Sequence, residues 1–370
     1  VIVYSIFVIS RSFVSLDNGH MKSPNQHLLV IGMGGTIAGL AQDPNNPSAY
    51  RAGQVALEGL LPAAQPGTEF AHGDIRTQQL ANIDSRDLSE ALLTRLGLAV
   101  RAALDNPDVL GVLVTHGTDT IEEAGLFLDA VCSKQAVQLG KRVILTGAML
   151  PSNHPQADGP LNLQAALHWA QIDLETCPAG VFGIFAGRVC LARDLAKRHI
   201  SDLNAPLRDS PSSPVHLINP SWLARIRRIG ADSGPDMVIP PEDGWPWVEI
   251  LTSHAGAKPE AVLNWLNQPI QGLVIAGTGM GGVHTAWHKP LRDLAEKGVA
   301  MVKASRVGAG HVHLHLPEAD PANWVAAGSL SSPKARIALQ LALYAAFDAK
   351  QGGRSMTWQD FFARITVLPE

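Results

Sequence analysis

The stretch Leu28-Leu29-Val30-Ile31-Gly32-Met33-Gly34-Gly35-Thr36-Ile37-Ala38-Gly39 decides the fold. An apolar run of strand length ends on two glycines, which allow a tight turn, and Thr36 is left just beyond the strand. A second stretch repeats the plan: Val112-Leu113-Val114-Thr115-His116-Gly117-Thr118-Asp119-Thr120. Each sets a hydroxyl where a strand of an α/β sheet ends, and the second adds a carboxylate beside it. Small ligands of such sheets bind at that edge.

Outward from these two stretches, apolar runs recur at 28–32, 110–115, 143–147, 180–185, 247–252, 272–276 and 299–303. Segments of helical spacing lie between many of them. Leu88, Leu92, Leu96, Val100 and Leu104 fall four apart, and Ser332-Pro333 reads as an N-cap and first-turn pair leading into Ile337, Leu341 and Tyr344. Strands alternating with helices predict an α/β fold with parallel sheets and helices on their faces. Residues 229–246, rich in Pro, Gly and Asp, read as a linker between a larger N-terminal α/β domain (26–228) and a smaller C-terminal one (247–370).

The 370 residues suffice for two domains, and 46% hydrophobic with 17% charged residues is ordinary globular composition. A net charge of −4 gives no reason to expect nucleic acid or an anionic membrane as partner. Cys132, Cys177 and Cys190 are too few and too scattered for a disulfide framework or a zinc site, and read as reduced, buried thiols in a cytoplasmic protein. Val1 to Ser10 is apolar but has no basic residue before it, and Met21-Lys22 opens a cleaner start. Residues 1–25 therefore read as an extension outside the fold. A degraded signal peptide, with export to the periplasm, is the alternative.

Thr120 and Glu123 fit a Thr-x-x-Glu capping box, so a helix is expected to start at Thr120. Thr118 and Asp119 then sit at a helix N-terminus, whose free N–H groups suit a developing oxyanion or a carboxylate. Asp119 can instead hold a cationic amine. As ordinary capping residues the two would need no function at all. Asp87 and Glu90 repeat the capping pattern and leave Ser85 and Arg86 just before a helix, placed to bind a substrate carboxylate by hydroxyl and by charge. Alone, those two are common turn residues. Leu40 to Ala52 lacks periodicity and reads as a lid, with Tyr50 near its end able to close over Thr36. In Arg193-Asp194-Leu195-Ala196-Lys197-Arg198-His199 a lysine drawn into a pocket can serve as base to a hydroxyl, although a solvated face is the default. Nothing local selects Lys197 over Arg198.

Two further patterns carry less. Gly277-Thr278-Gly279-Met280-Gly281-Gly282 matches Gly-x-Gly-x-x-Gly, but the next strand ends in Lys303 rather than an acidic residue, so a substrate-side or interface loop is the better reading than a dinucleotide site. His311-x-His313-x-His315 puts three imidazoles on one strand face, without a matching Cys or His cluster elsewhere, and no metal is assigned to it.

Taken together, these stretches resemble the bacterial-type L-asparaginase family, which includes glutaminase-asparaginases, from about residue 27 to 347. The carriers are Gly34-Gly35-Thr36-Ile37-Ala38-Gly39 and His116-Gly117-Thr118-Asp119-Thr120. Support comes from Thr146-Gly147-Ala148-Met149-Leu150-Pro151, Ala157-Asp158-Gly159-Pro160-Leu161-Asn162-Leu163 and Gly328-Ser329-Leu330-x-x-Pro333-Lys334-Ala335-Arg336. The resemblance implies hydrolysis of asparagine to aspartate and ammonia through a threonine acyl-enzyme, with no cofactor or metal. It implies Thr36 as nucleophile with Tyr50 as lid partner, and Thr118, Lys197 and Asp119 as a second arm. Ser85 and Asp119 would grip the α-carboxylate and α-amine, and backbone N–H groups near Thr36 and Thr118 would form the oxyanion hole. It leaves open which threonine attacks first. It also implies a homo-oligomer, a tetramer or dimer of dimers, with active sites near subunit contacts.

Two departures bear on specificity. Arg86 stands where many exported relatives carry glutamine, which puts the choice between asparagine and glutamine in question. The loop Gly279-Met280-Gly281-Gly282 lacks the asparagines found in many relatives. The alternatives kept are a glutaminase-asparaginase, a tRNA-dependent amidotransferase subunit (for which no appended domain is visible) and a catalytically silent amino-acid sensor. A sensor has no need of the lysine.

Overall fold

The computed structural model describes residues 25–46, 49–61, 74–175, 177–203, 237–313 and 324–366. The expected N-terminal extension lies almost wholly outside them, as do His315 and the first part of the expected linker.

The N-terminal sheet has six strands: β1 (His27–Gly34), β4 (Asp74–Ile83), β5 (Val109–Thr115), β6 (Arg142–Thr146), β7 (Gly180–Phe185) and β8 (Arg188–Leu191). A two-residue hairpin of β2 (Leu40–Ala41) and β3 (Tyr50–Arg51) stands apart from it. The spatial order is β4-β1-β5-β6-β7-β8, parallel except for the final β7–β8 pair. The chain moves one way from β1 to β4 and then crosses back over β1 to β5. A crevice therefore opens at the carboxyl ends of β1 and β5, where the crossovers leave toward opposite faces, and such a switch point is where open α/β sheets bind ligands. The two quoted stretches end at that crevice.

β1 shows why both faces are covered. Leu28 and Val30 pack with helices α1 (Leu57–Leu60) and α4 (Gly159–Gln171) on one side. Ile31 and Met33 pack with α2 (Glu90–Asp105) and α3 (Ile121–Gln138) on the other. A strand buried on both faces must be apolar at almost every position, which is why it reads as an unbroken run. The smaller sheet, β9 (Val248–Thr252), β10 (Gly272–Gly277), β11 (Ala300–Ser305) and β12 (Trp324–Ala326), is wholly parallel in the order β12-β11-β10-β9. The long helix Ser332–Gln351 packs on it and on α3, so one apolar core runs from the first sheet into the second.

Several local expectations need correction. Ser89, not Asp87, caps α2, its hydroxyl accepting the Leu92 N–H, while Asp84 accepts from Arg86 N and a 3-10 turn spans Ser85–Asp87. Ser331, one residue before the expected Ser332, caps the long C-terminal helix. The helix at Thr120 begins as expected, but its capping box does not form. Thr120, at φ −122° and ψ 18°, is turned out of the extended conformation an N-cap side chain needs, and its hydroxyl donates to the Ser85 carbonyl instead. The expected irregular lid at 40–52 contains the β2–β3 hairpin, tied at its far end by Gln54 and Val55 N–H bonds to the Ala38 carbonyl. The described part of the expected linker lies packed on helices: Met237 N–H bonds the Ala130 carbonyl, Arg101 the Met237 carbonyl and Thr94 the Pro240 carbonyl.

Candidate active site

Three neighbouring strands deliver the expected residues to one edge. Thr36 follows β1, Ser85 follows β4 and Thr118 follows β5. The β1 and β5 loops touch through backbone alone. Gly35 is held at φ +79°, and a Cβ built on it would lie 2.3 Å from Gly117 Cα; one built on Gly117 would lie 2.5 Å from Ser85 Oγ. Side chains at either position would force the loops apart. Their absence brings the residues after them, Thr36 and Thr118, to a common place, and both threonines are buried.

Each threonine stands within a different arrangement. Thr36 Oγ1 is 2.7 Å from Tyr50 Oη, and the Tyr50 ring packs against Gly39. Burial pushes the Tyr50 phenol above its usual value, partly offset by the Thr36 hydrogen bond, with the negative charges of Asp84 and Asp119 adding to the rise. The phenol therefore keeps its proton at neutral pH. Beside Thr118, the Asp119 N–H donates to Ser85 Oγ at 3.3 Å and Lys197 Nζ lies 2.5 Å from Asp119 Oδ1. Ser85 is thereby fixed at both ends, its hydroxyl accepting from Asp119 N–H and its carbonyl from Thr120. Arg86 behaves otherwise: its side chain is 74% exposed and its guanidinium pairs with Asp84 at 3.0 Å. Of the two cations left open by sequence, Lys197 meets Asp119, whereas Arg198 bonds the Gly308 carbonyl.

The sequence reading gave no role to the residues behind these loops. Asp158 accepts the Met149 and Leu150 N–H groups and the Asn162 amide, and Asn162 also bonds the Gly147 carbonyl and the Ala186 N–H. This buried network sets the loop after β6 behind the β5 loop. Both residues stand in the supporting motif quoted above, so the signal was present without a physical role attached. Beside Lys197 a cleft of about 790 Å³ opens between the two sheets, walled by Glu122, Met280, His311, Ser329 and Lys334 among others. The glycine-rich loop at 277–282 thus lines the approach to Lys197. The rings of His311 and His313 stand 4.2 Å apart.

The description "Asparaginase, N-terminal" matches residues 27–219, and "Glutaminase/Asparaginase C-terminal domain" matches 247–356. The chain belongs to the asparaginase family. Similar proteins include a probable periplasmic L-asparaginase of Haemophilus influenzae, 32% identical over 88% of this chain and 90% of its own length. L-asparaginase 2 of Escherichia coli is 31% identical over 88% of this chain and 91% of its own. A glutaminase-asparaginase of Pseudomonas fluorescens is 30% identical over 91% of each. Among solved structures, a probable cytoplasmic L-asparaginase of Campylobacter jejuni superposes with a TM-score of 0.71 at 26% identity, covering 92% of this chain and 99% of that one. Among the described residues of this asparaginase-family chain, no helix is long and apolar enough to cross a membrane.

Proposed function

We propose that this chain hydrolyses the side-chain amide of L-asparagine to L-aspartate and ammonia through a threonine acyl-enzyme. The observation that carries the reading is the Gly35–Gly117 backbone contact, which joins the Thr36–Tyr50 pair to the Thr118–Asp119–Lys197 group at one strand edge. A threonine hydroxyl is a poor nucleophile unless a partner accepts its proton. Here both threonines have candidates: Tyr50 as a relay that is itself protonated, and Lys197 held by Asp119. The attacking Oγ bonds the carboxamide carbon, its proton passes to the leaving nitrogen, and the C–N bond breaks to release ammonia. Water then adds to the ester carbon, the Oγ–C bond breaks and the threonine regains a proton. Ser85 and Asp119 hold the α-carboxylate and α-amine, and N–H groups near Thr36 and Thr118 face the oxyanion. Either threonine can make the first attack in this scheme.

Glutamine is the second substrate in this reading, favoured by the names of relatives similar to the chain. We further propose a homotetramer, supported by the exposed apolar side chains of Met280 and Val307 at the cleft beside Lys197. A cytoplasmic setting accords with the buried cysteines Cys132, Cys177 and Cys190, the thiol of Cys177 pushed up to about 12 by burial. Ammonia release from asparagine by wild type, Thr36→Ala, Thr118→Ala and Lys197→Ala tests the scheme, with losses of several orders of magnitude expected for each variant. Full activity in Thr118→Ala would overturn the two-arm arrangement. Aspartate binding without wild-type turnover would mark a sensor instead.

A further inference from the structure

His116 lies directly before Gly117, which packs on Gly35, yet its ring faces the interior. The side chain is buried, and its backbone N–H bonds the Thr146 carbonyl of the next strand at 2.8 Å. Nδ1 stands 2.8 Å from the Gly117 carbonyl oxygen, while Nε2 is buried with no partner among the described residues. Burial lowers the ring's basicity, so the imidazole is neutral and carries a single proton. A carbonyl only accepts, so that proton sits on Nδ1 and is donated to Gly117.

The consequence follows from peptide geometry. In a trans peptide the C=O and the following N–H point in opposite directions. Anchoring the Gly117 carbonyl to an interior imidazole therefore turns the Thr118 N–H the opposite way, out of the interior. The anchor has something to restrain, because a glycine leaves its own peptide softer than any other residue. We propose that His116 is a positioning residue whose Nδ1–H locks the Gly117–Thr118 peptide, so that the Thr118 amide faces the oxyanion formed during amide hydrolysis. The inference rests on the hydrolytic reading above, which already places N–H groups near Thr118 at the oxyanion, and it adds the side chain that aims the Thr118 donor.

Three variants test it. Asparagine places its amide nitrogen near the Nδ1 position and keeps the donor, whereas glutamine and leucine offer none there. Loss of one oxyanion donor costs about 10²–10³ in kcat, and because the contact is made in the transition state KM should stay within about threefold. His116→Gln and His116→Leu are therefore expected to lose kcat on that scale, and His116→Asn to remain within about tenfold of wild type. Folded Gln and Leu variants with wild-type kcat, or an Asn variant as slow as they are, would overturn the proposal. If Gln and Leu do not fold, the Asn variant decides: near-wild-type kcat supports the role and a hundredfold fall rejects it. Wild-type turnover of asparagine is read separately and bears on the hydrolytic reading alone. Ring-nitrogen NMR of His116 reads the anchor without substrate; a proton on Nε2 in place of Nδ1 would reject it even in an inactive protein.

Discussion

Lys197 Nζ lies 2.5 Å from Asp119 Oδ1 although 78 positions separate them. The approach is built by the turn at Ala192–Asp194, which passes so close to α3 that a Cβ on Gly125 would meet the Ala192 carbonyl oxygen at 2.5 Å. Leu195 is buried beneath it, and Lys197 emerges at the start of α3. A pair set up in this way acts as a unit. Lys197→Met should lower kcat by about 10²–10⁴, the usual contribution of a positioned acid or base. Asp119→Asn should do the same and raise KM as well, since in the proposed scheme Asp119 also receives the substrate amine. The double variant should be no slower than the slower single one in initial-rate ammonia assays. Multiplying losses would mean that the two residues serve different steps.

Arg86→Gln should change the ratio of kcat/KM for asparagine to that for glutamine. The guanidinium is drawn aside to Asp84, and neutralising it releases the Asp84 charge beside Ser85. Exposed ion pairs of this kind contribute roughly 0–1 kcal/mol, so the thermal midpoint should hardly move. An unchanged substrate ratio would remove Arg86 from the specificity of the site.

What was legible in the sequence divides along physical lines. β1, β5, β6, β7 and β10 are buried on both faces and appear as apolar runs, so each was found. β4 was missed because it pairs only with β1 at the sheet edge, and Thr77, Gln78 and Gln79 interrupt its apolar residues. Cap positions slipped where several hydroxyl or carboxylate residues adjoin, as at Asp87 and Ser89 or Ser331 and Ser332. At the site, Thr36 with Tyr50 and Asp119 with Lys197 were named in sequence and are found hydrogen-bonded. Arg86, read in sequence as a carboxylate binder, is found paired with Asp84. The contact between Gly35 and Gly117 could not be read, because adjacency of β1 and β5 follows from the crossover over β1 and not from any local pattern. Asp158 and Asn162 stand in a motif visible in the sequence, but they act largely by bonding backbone groups of neighbouring loops, so their role could not be read from side-chain chemistry.

Stability should fall between mildly acidic and alkaline pH because of Glu123. Burial, reinforced by the charge of Glu122, raises its carboxyl to about 7, against the ordinary 4.5 expected in the unfolded chain. A raised acid keeps the folded state favoured below the unfolded value, and the advantage is lost as pH rises through 4.5 toward about 7. The shift corresponds to about 3.5 kcal/mol of linkage at most, at roughly 1.4 kcal/mol per pH unit. Glu123→Gln cannot ionise. Its thermal midpoint should exceed that of wild type at pH ~8.5 and approach it at pH ~4.5, as the linkage relation requires. Parallel midpoint-versus-pH curves for the two proteins would show that Glu123 ionises freely in the fold.

Gly35→Ala tests the contact on which the site depends, and Gly298→Ala supplies its control. Both glycines have positive φ, +79° and +89°, but a Cβ on Gly298 meets nothing within 4 Å while one on Gly35 meets Gly117 Cα at 2.3 Å and Gly117 N at 2.5 Å. The control carries the positive-φ backbone cost, about 1–2 kcal/mol, whereas Gly35, at ψ −170°, adds a conformation open essentially to glycine alone. Gly35→Ala should lose about 1–3 kcal/mol more in urea unfolding, since backbone atoms cannot swing aside as a flexible side chain can. Separating the loops by about 1 Å should also lower kcat roughly 10²-fold, the usual effect of misplacing reacting groups by that distance, while Gly298→Ala keeps wild-type turnover. Equal destabilisation in the two variants, with activity retained in both, would mean that the β1 and β5 loops can part without cost and that their contact does not set the spacing of Thr36 and Thr118.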